Sequence, residues 1–301
     1  MSSFQYWLKE LRAEFITGSV TPVILSTALV RFETGTFSSL LFILTLLGVI
    51  FLHLGANTAN DYFDHLSGND IVNREYVRPF TGGSRLIQNK LISPKAVLVT
   101  SLSFMAAAVT VGIFLIAMTG TAIIIFGIAG IISGYFYTAP PFKFSHRGFG
   151  EFVIGFAFGI IGIGTYYVQT GTVTTHCILL SLPLAFLITS IIVINEFQDS
   201  RADLRAGKKT IVVRMGKKRA VYLFSALTIG SYLPLIIGTT LGIMPPLTLI
   251  SLLTLPIGLK AIRTAAKHYN RSEDLSPANR SAIINHILTG IILAIVYFSS
   301  S

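Results

Sequence analysis

The sequence predicts an all-α polytopic membrane protein, with about nine transmembrane helices around a central cavity and cytoplasmic cap loops. Three observations carry this. The 301-residue chain is 52% hydrophobic and 12% charged, more apolar than one soluble core requires. Nine apolar stretches, centred near residues 24, 48, 106, 128, 158, 185, 230, 252 and 290, approach the roughly 20 residues that a spanning helix needs. Of the 23 Lys and Arg, all but Arg31 fall into alternate connections, the partition expected when positive loops stay inside.

Taken in order, Phe4, Leu8, Leu11 and Phe15 recur at helical spacing, which suits a helix lying on the inner leaflet. Lys9, Glu10, Arg12 and Glu14 interrupt the apolar run expected of a cleavable signal peptide. Pro22 interrupts the first span, and Pro245, Pro246 and Pro256 the eighth; neighbouring helices can satisfy the backbone groups that proline frees. The connections near 32–37, 118–121, 169–176 and 239–243 are short and nearly uncharged, whereas those near 60–95, 138–151, 195–220 and 260–280 are basic. The N-terminus and the basic loops are therefore expected at the cytoplasmic face of the cell (inner) membrane. Gly130 with Gly134, and Gly155 with Gly159, have the spacing that lets membrane helices approach closely. The single cysteine, Cys177, excludes an intrachain disulfide. Positive charge confined to membrane-flanking loops argues against nucleic acid as a partner, despite the net charge of +10.

Carboxylates are scarce, with 13 Asp and Glu, and six of them (Asp61, Asp64, Asp70, Glu196, Asp199 and Asp203) lie in or just after two similar pentapeptides. Asn60-Asp61-Tyr62-Phe63-Asp64 and Asn195-Glu196-Phe197-Gln198-Asp199 each stand where an apolar run meets a basic stretch. Four spans separate them, so both face the same side in the same sense, as in a parallel repeat. One domain over 1–301 is expected, in two pseudo-repeated halves at roughly 15–138 and 148–300. Helical spacing places Asn60, Asp61 and Asp64 on one face, and Asn195, Glu196, Asp199 and Asp203 on another. Such oxygen clusters suit magnesium, which binds through one or two carboxylates plus substrate phosphates. Ordinary helix-end pairing with Arg and Lys is the alternative; two copies on one side, each with Asn at the same offset, argue against it.

Arg74, Arg78 and Arg85 follow the first cluster and Lys208 follows the second, as cations that would offset charge on a leaving diphosphate. Tyr137 and Lys143 lie in a proline-stiffened loop that either closes over a headgroup or is only a tight connector. His53 and His286 lie inside apolar spans and read as interhelical hydrogen-bonding groups. Phe156, Phe158, Tyr166 and Tyr167 either face an allylic cation or are membrane packing.

At these residues the chain resembles the UbiA superfamily of intramembrane prenyltransferases along nearly its whole length. The first motif of that superfamily, Asn-Asp-x-x-Asp, matches Asn60, Asp61 and Asp64; the second, Asp-x-x-x-Asp, matches Asp199 and Asp203. The resemblance implies nine helices around a cavity, two magnesium-bridged aspartate motifs holding a polyprenyl diphosphate, and prenyl transfer to an acceptor that is usually aromatic. Asp64-x-x-x-Gly68-x-Asp70, Pro79 to Arg85 with Ile87-Gln88, and Gly207-Lys208-x-Thr210 are similar to the menaquinone branch, whose acceptor is 1,4-dihydroxy-2-naphthoate. The chain departs from that branch at Glu196 and Gln198, where Asn and Arg are common, and at Pro140-Pro141, where a glycine-rich turn is common. The expected assignment makes Asp61, Asp64, Asp199, Asp203 and Tyr137 catalytic. About two magnesium ions fall to Asn60, Asp61, Asp64, Asp199 and Asp203, and the diphosphate to Asn60, Arg74, Arg78, Arg85, Asn195, Lys208 and Lys143. The lipid bilayer, the polyprenyl diphosphate and the aromatic acceptor are the expected partners. Another acceptor (4-hydroxybenzoate, homogentisate, a tetrapyrrole or a glycerol-phosphate headgroup) is the alternative. A multi-helix transporter is a second, but it would place polar groups near the bilayer midplane.

Overall fold

The structure, a computed structural model, describes residues 3–300; residues 1, 2 and 301, the ends of the expected domain, lie outside the described residues. It contains no strand among the described residues. The helices are α1 (Ser3–Glu10), α2 (Thr17–Thr34), α3 (Ser39–Leu66), α4 (Asn69–Val72), α5 (Pro94–Thr119), α6 (Ile123–Tyr135), α7 (Gly150–Thr170), α8 (Thr175–Arg205), α9 (Ile211–Met215), α10 (Lys217–Gly230), α11 (Leu233–Thr240), α12 (Leu255–His268) and α13 (Ser276–Ser299).

Among the described residues, eight helical segments are long and apolar enough to cross a bilayer: Ala13–Thr34, Ser39–Leu66, Pro94–Thr119, Gly150–Thr170, Thr175–Arg205, Lys217–Thr240, Pro246–His268 and Glu273–Ser299. The ninth expected span is the apolar helix α6, which has only 13 residues and so rises about 20 Å against a hydrocarbon core of roughly 30 Å. It begins after the turn at Gly120 and ends before Pro140 and Pro141. Proline breaks two further elements. Pro234 opens α11 after a turn that interrupts the segment Lys217–Thr240, and Pro245 and Pro246 make the segment Pro246–His268 begin as a 3-10 helix, Pro246–Thr254, before α12. The N-terminal segment differs from the expected continuous helix to Phe15: Arg12 is left-handed at φ 50°, a 3-10 turn follows at Ala13–Phe15, and Phe15 turns toward the interior. Phe4 and Leu8 stay exposed, as an interfacial helix requires.

α8 is the central strut, with most of its apolar residues buried. One end of it packs with Leu25, Leu29, Tyr166, Leu293 and Tyr297, the other with Phe224, Leu275 and Ala278. Small residues bring helices close where lipid supplies no hydrophobic drive. A Cβ on Gly155 would stand 2.6 Å from Thr189 Oγ1 of α8, and one on Gly130 2.7 Å from Leu52 Cδ2 of α3, so both expected glycine pairs lie at helix contacts. Large apolar residues of α3, α5 and α6, such as Leu40, Ile113 and Ile125, face outward.

Hydrogen bonds and ion pairs between distant segments fix which loops share an end. Asn69 meets Asp203, Arg201 meets Glu75, and Lys209 N–H donates to the His146 carbonyl. The connections following α3, α6 and α8 thus gather at one end of the bundle. At the other end, Ser38 pairs with Gln169, and Glu33 with His176.

Candidate active site

α3 and α8 end side by side at the first of these ends, over a cavity of about 540 Å³. Apolar residues of α3, α5, α6 and α7 line its body, and Asn60, Asp64, Asn195, Glu196, Asp199 and Asp203 line its mouth. Gly68, left-handed at φ 77°, turns the chain back after α3 so that α4 and its flanks face α8. Asn69 Nδ2 then donates to Asp203 Oδ1 at 3.2 Å, and Asn73 Nδ2 to Asp199 Oδ1 at 2.7 Å. Lys208 Nζ lies between the two halves, 3.3 Å from Asp64 Oδ2 and 3.9 Å from Asp203 Oδ1. Burial alone would lower the pKa of this ammonium, but Asp64, Asp203 and their neighbours outweigh it and raise it well above the ordinary lysine value.

Several buried oxygens here have no hydrogen-bond partner: Asp64 Oδ1, Asn69 Oδ1, Asn73 Oδ1 and Glu196 Oε2. Leaving such atoms bare costs roughly 1–3 kcal/mol each, a debt that a bound cation or donor removes. Among the described residues no three Asp, Glu, His or Cys side chains converge into a complete metal-binding group. The arrangement instead offers carboxylates in ones and twos from opposite helices, which fits magnesium shared with phosphate oxygens. Burial and the charges of Asp64 and Asp61 raise the Asp70 pKa well above the usual carboxylate value, and Asp70 Oδ2 accepts from Gln88 Nε2 at 2.8 Å.

The expected residues divide into those that reach the cavity and those that do not. Asn60, Asp64, Asn195, Asp199, Asp203, Lys208 and Tyr137 line it. Asn195 is held from behind, its Oδ1 accepting from Asn279 Nδ2 at 2.7 Å while Gln198 Nε2 donates to Asn279 Oδ1 at 3.0 Å. Burial and the nearby Glu196 charge push the Tyr137 hydroxyl pKa well above its usual range.

Asp61 does not line the cavity with Asn60 and Asp64. It is rotated by one residue, about 100° on a helix, and anchors the wall: Ser84 N–H donates to its Oδ2 at 2.8 Å, while the Ser84 hydroxyl donates to Glu10 Oε2 at 2.5 Å. Gly83 fits in that wall because a Cβ would meet Asp61 Oδ1 at 3.1 Å. Arg74, Arg78, Arg85 and Lys143 lie outside the cavity lining. Arg74 is exposed. The guanidiniums of Arg78 and Arg85 stack on the Tyr76 ring, 5.6 Å and 4.6 Å from its centroid, and Arg85 also donates to the Asp70 backbone carbonyl. Of the four aromatics, only Phe158 lines the cavity; Phe156 is exposed, Tyr166 is bonded to Glu33, and Tyr167 packs on Phe126. His53 Nδ1 pairs with Ser19 Oγ across helices at 2.6 Å. His286 lines the cavity with Nε2 unpartnered.

Three contributors were not assigned from the sequence. Asn69 and Asn73 reach the site through the turn at Gly68, whose only advance sign is the Ser67-Gly68-Asn69-Asp70 turn composition. Arg12 lines the cavity and lies 3.9 Å from Asp61 Oδ1; an N-terminal segment that reads as a membrane-surface helix carries no signal for this.

A model of the UbiA prenyltransferase family matches residues 19–287. The 1,4-dihydroxy-2-naphthoate octaprenyltransferase of Bacillus subtilis is 26% identical over 253 residues, covering 84% of this chain and 79% of its own. The 2-carboxy-1,4-naphthoquinone phytyltransferase of Synechocystis is 27% identical over 292 residues, covering 97% and 92%. Among solved structures, a UbiA homolog from Archaeoglobus fulgidus bound to DMAPP and Mg2+ superposes with a TM-score of 0.71 at 17% identity, over 97% of this chain and 99% of that one.

Proposed function

This chain belongs to the UbiA prenyltransferase family, and from that premise we propose that it transfers a polyprenyl group from polyprenyl diphosphate to an aromatic quinone precursor, 1,4-dihydroxy-2-naphthoate. The observation that carries the reading is the meeting of two acidic helix ends, from distant parts of the chain, over one apolar cavity, with Lys208 set between Asp64 and Asp203. The names of the Bacillus and Synechocystis relatives support a naphthalene-ring acceptor.

Asp64, Asp199 and Asp203, with Asn60 and Asn195, are the groups that would hold magnesium, two ions in this reading. Bound there, magnesium supplies positive charge against the diphosphate. Lys208 adds a fixed cation to the same headgroup, and Arg12 a second from the opposite wall. As the carbon–oxygen bond breaks, the electron pair leaves with the diphosphate, and these cations stabilise the charge that grows there. The allylic cation left behind sits among aliphatic residues and Phe158, which exclude water. The acceptor ring attacks it, and a proton or carboxyl group is lost from the alkylated carbon. Tyr137, at the mouth, orients the reactants. The tail enters from the bilayer through the lipid-facing side formed by α5 and α6. Basic loops on one side, with Arg31 the exception, support a cell-membrane protein with its site on the cytoplasmic face.

Transfer of labelled polyprenyl diphosphate to 1,4-dihydroxy-2-naphthoate in detergent is the test. Magnesium-dependent product with the wild type, lost on chelation and in Asp64→Ala and Asp199→Ala, is expected; full turnover in either variant rejects the assignment.

A further inference from the structure

His53 and His286 place two imidazoles in the apolar body of the cavity, where neither packing nor headgroup binding uses their Nε2 atoms. His53 stands seven residues before Asn60 on α3, and His286 seven residues after Asn279 on α13. Seven residues are two helical turns, about 10.5 Å along the axis and nearly the same face. Each histidine therefore lies inward of a group at the mouth: Asn60 itself, and Asn279, which holds Asn195. Ile188, seven residues before Asn195 on α8, lines the cavity at the same depth.

Both histidines line the cavity, and the Nε2 of each is buried with no partner among the described residues. Nδ1 of His53 lies 2.6 Å from Ser19 Oγ of α2, and its ring meets Phe158 of α7 edge to face, with centroids 6.4 Å apart. That imidazole is thus fixed from two sides, with Nε2 left to bind. His286 is 1% exposed, so its Nε2 must also find a partner inside the protein or remain bare.

A polyprenyl tail has no atom that could pair with these nitrogens, and the diphosphate is held at the mouth, two turns away. The acceptor ring must lie inward of the headgroup, because it meets the allylic carbon from the side opposite the leaving diphosphate. A ring hydroxyl both donates and accepts, so it satisfies an imidazole nitrogen in either tautomer, whereas an ether oxygen only accepts. We propose that His53 and His286 hydrogen-bond the ring oxygens of the aromatic acceptor through Nε2, so that the site selects a ring with free hydroxyls and fixes which carbon faces the allylic centre. This rests on the prenyl-transfer reading above.

The experiment uses the full-length, magnesium-loaded protein with 1,4-dihydroxy-2-naphthoate as acceptor, 1,4-dimethoxy-2-naphthoate as competitor, and a non-reactive prenyl thiolodiphosphate as a probe of donor binding. Wild type is expected to bind the dihydroxy ring about 10-fold or more tighter than the dimethoxy ring, a comparison that needs no variant. His53→Leu and His286→Leu should each raise the acceptor KM about 10-fold and bring that preference toward one. Their thiolodiphosphate Kd should stay within twofold of wild type, which also shows that they fold. His53→Gln and His286→Gln, which keep a hydrogen-bonding group near the Nε2 position, should recover most of the lost affinity. Equal binding of the two rings by wild type overturns the proposal, as does an acceptor KM within threefold of wild type in either Leu variant. Weakened thiolodiphosphate binding in a Gln variant overturns it too, by assigning that histidine to the donor. A wild type that prenylates no hydroxylated ring rejects the functional reading and this inference with it, whereas an active wild type whose Leu variants keep their acceptor KM rejects this inference alone.

Discussion

The two ends of the bundle both bury polar side chains, and they treat them in opposite ways. At the end away from the cavity mouth, Glu33, Tyr166, His176 and Tyr297 satisfy one another: His176 Nδ1 lies 2.8 Å from Glu33 Oε1, its Nε2 lies 2.6 Å from the Tyr297 hydroxyl, and the Tyr166 hydroxyl donates to the second Glu33 oxygen. Four helices are tied together with none of these side-chain atoms orphaned. At the mouth, Asp64, Asn69, Asn73 and Glu196 each keep a buried oxygen bare. Buried polarity therefore marks two different things in this molecule: closed where it fastens helices, open where a ligand completes it.

The largest effect that tests this contrast is at the mouth. Asp64→Ala should reduce turnover by about 1,000-fold or more, because it removes the bare Oδ1 that a ligand completes. Lys208→Met should cost about 100-fold in kcat/KM for the diphosphate, and raising magnesium should recover only part of it. At the closed end the expectation reverses. His176→Phe should lower stability by about 2 kcal/mol, measured by thermal unfolding in detergent, and leave the kcat of the folded fraction within twofold; a large kcat loss would erase the distinction. A smaller effect is expected from Glu10, whose carboxyl pKa is raised to about 8 by burial, with the Asp61 charge adding to it. Between its ordinary value of 4.5 and about 8 the folded chain binds the proton that the unfolded chain has released, so this contribution is full at low pH and is lost as pH rises through about 8. Subtracting the Glu10→Gln unfolding profile from that of the wild type should isolate that fall. Arg74→Ala should change activity less than twofold, because the side chain points to solvent.

What the sequence made legible follows from how local each signal is. Membrane helices, their prolines and the two acidic pentapeptides announce themselves within a few residues, and Asn60, Asp64, Asn195, Asp199 and Asp203 line one cavity. The basic loops do not. A run such as Arg74, Arg78 and Arg85 records the side of the membrane, while the direction of each guanidinium depends on Tyr76 and on the path of the loop from Asn73 to Leu91. That path is pinned by Glu10 and Asp61 through Ser84, partners 74 and 23 residues away, and no spacing rule encodes contacts at such separations. Lys208 differs from its basic neighbours because the left-handed turn at Gly207 folds the chain back on the end of α8, where Lys208 N–H donates to the Asp203 carbonyl at 2.8 Å. Asp61 has a conspicuous motif position, but its contact with Ser84, 23 residues away in the chain, has no local signal.

The 13-residue length of α6 has a consequence for the surroundings of the protein. A wall about 10 Å shorter than the hydrocarbon layer is matched only if nearby lipids shorten or tilt, so the bilayer should be pinched along one flank alone. Reconstitution in a series of phosphatidylcholines of increasing acyl length should therefore slow turnover most in the thickest bilayers, with short-chain lipids gathering beside that flank.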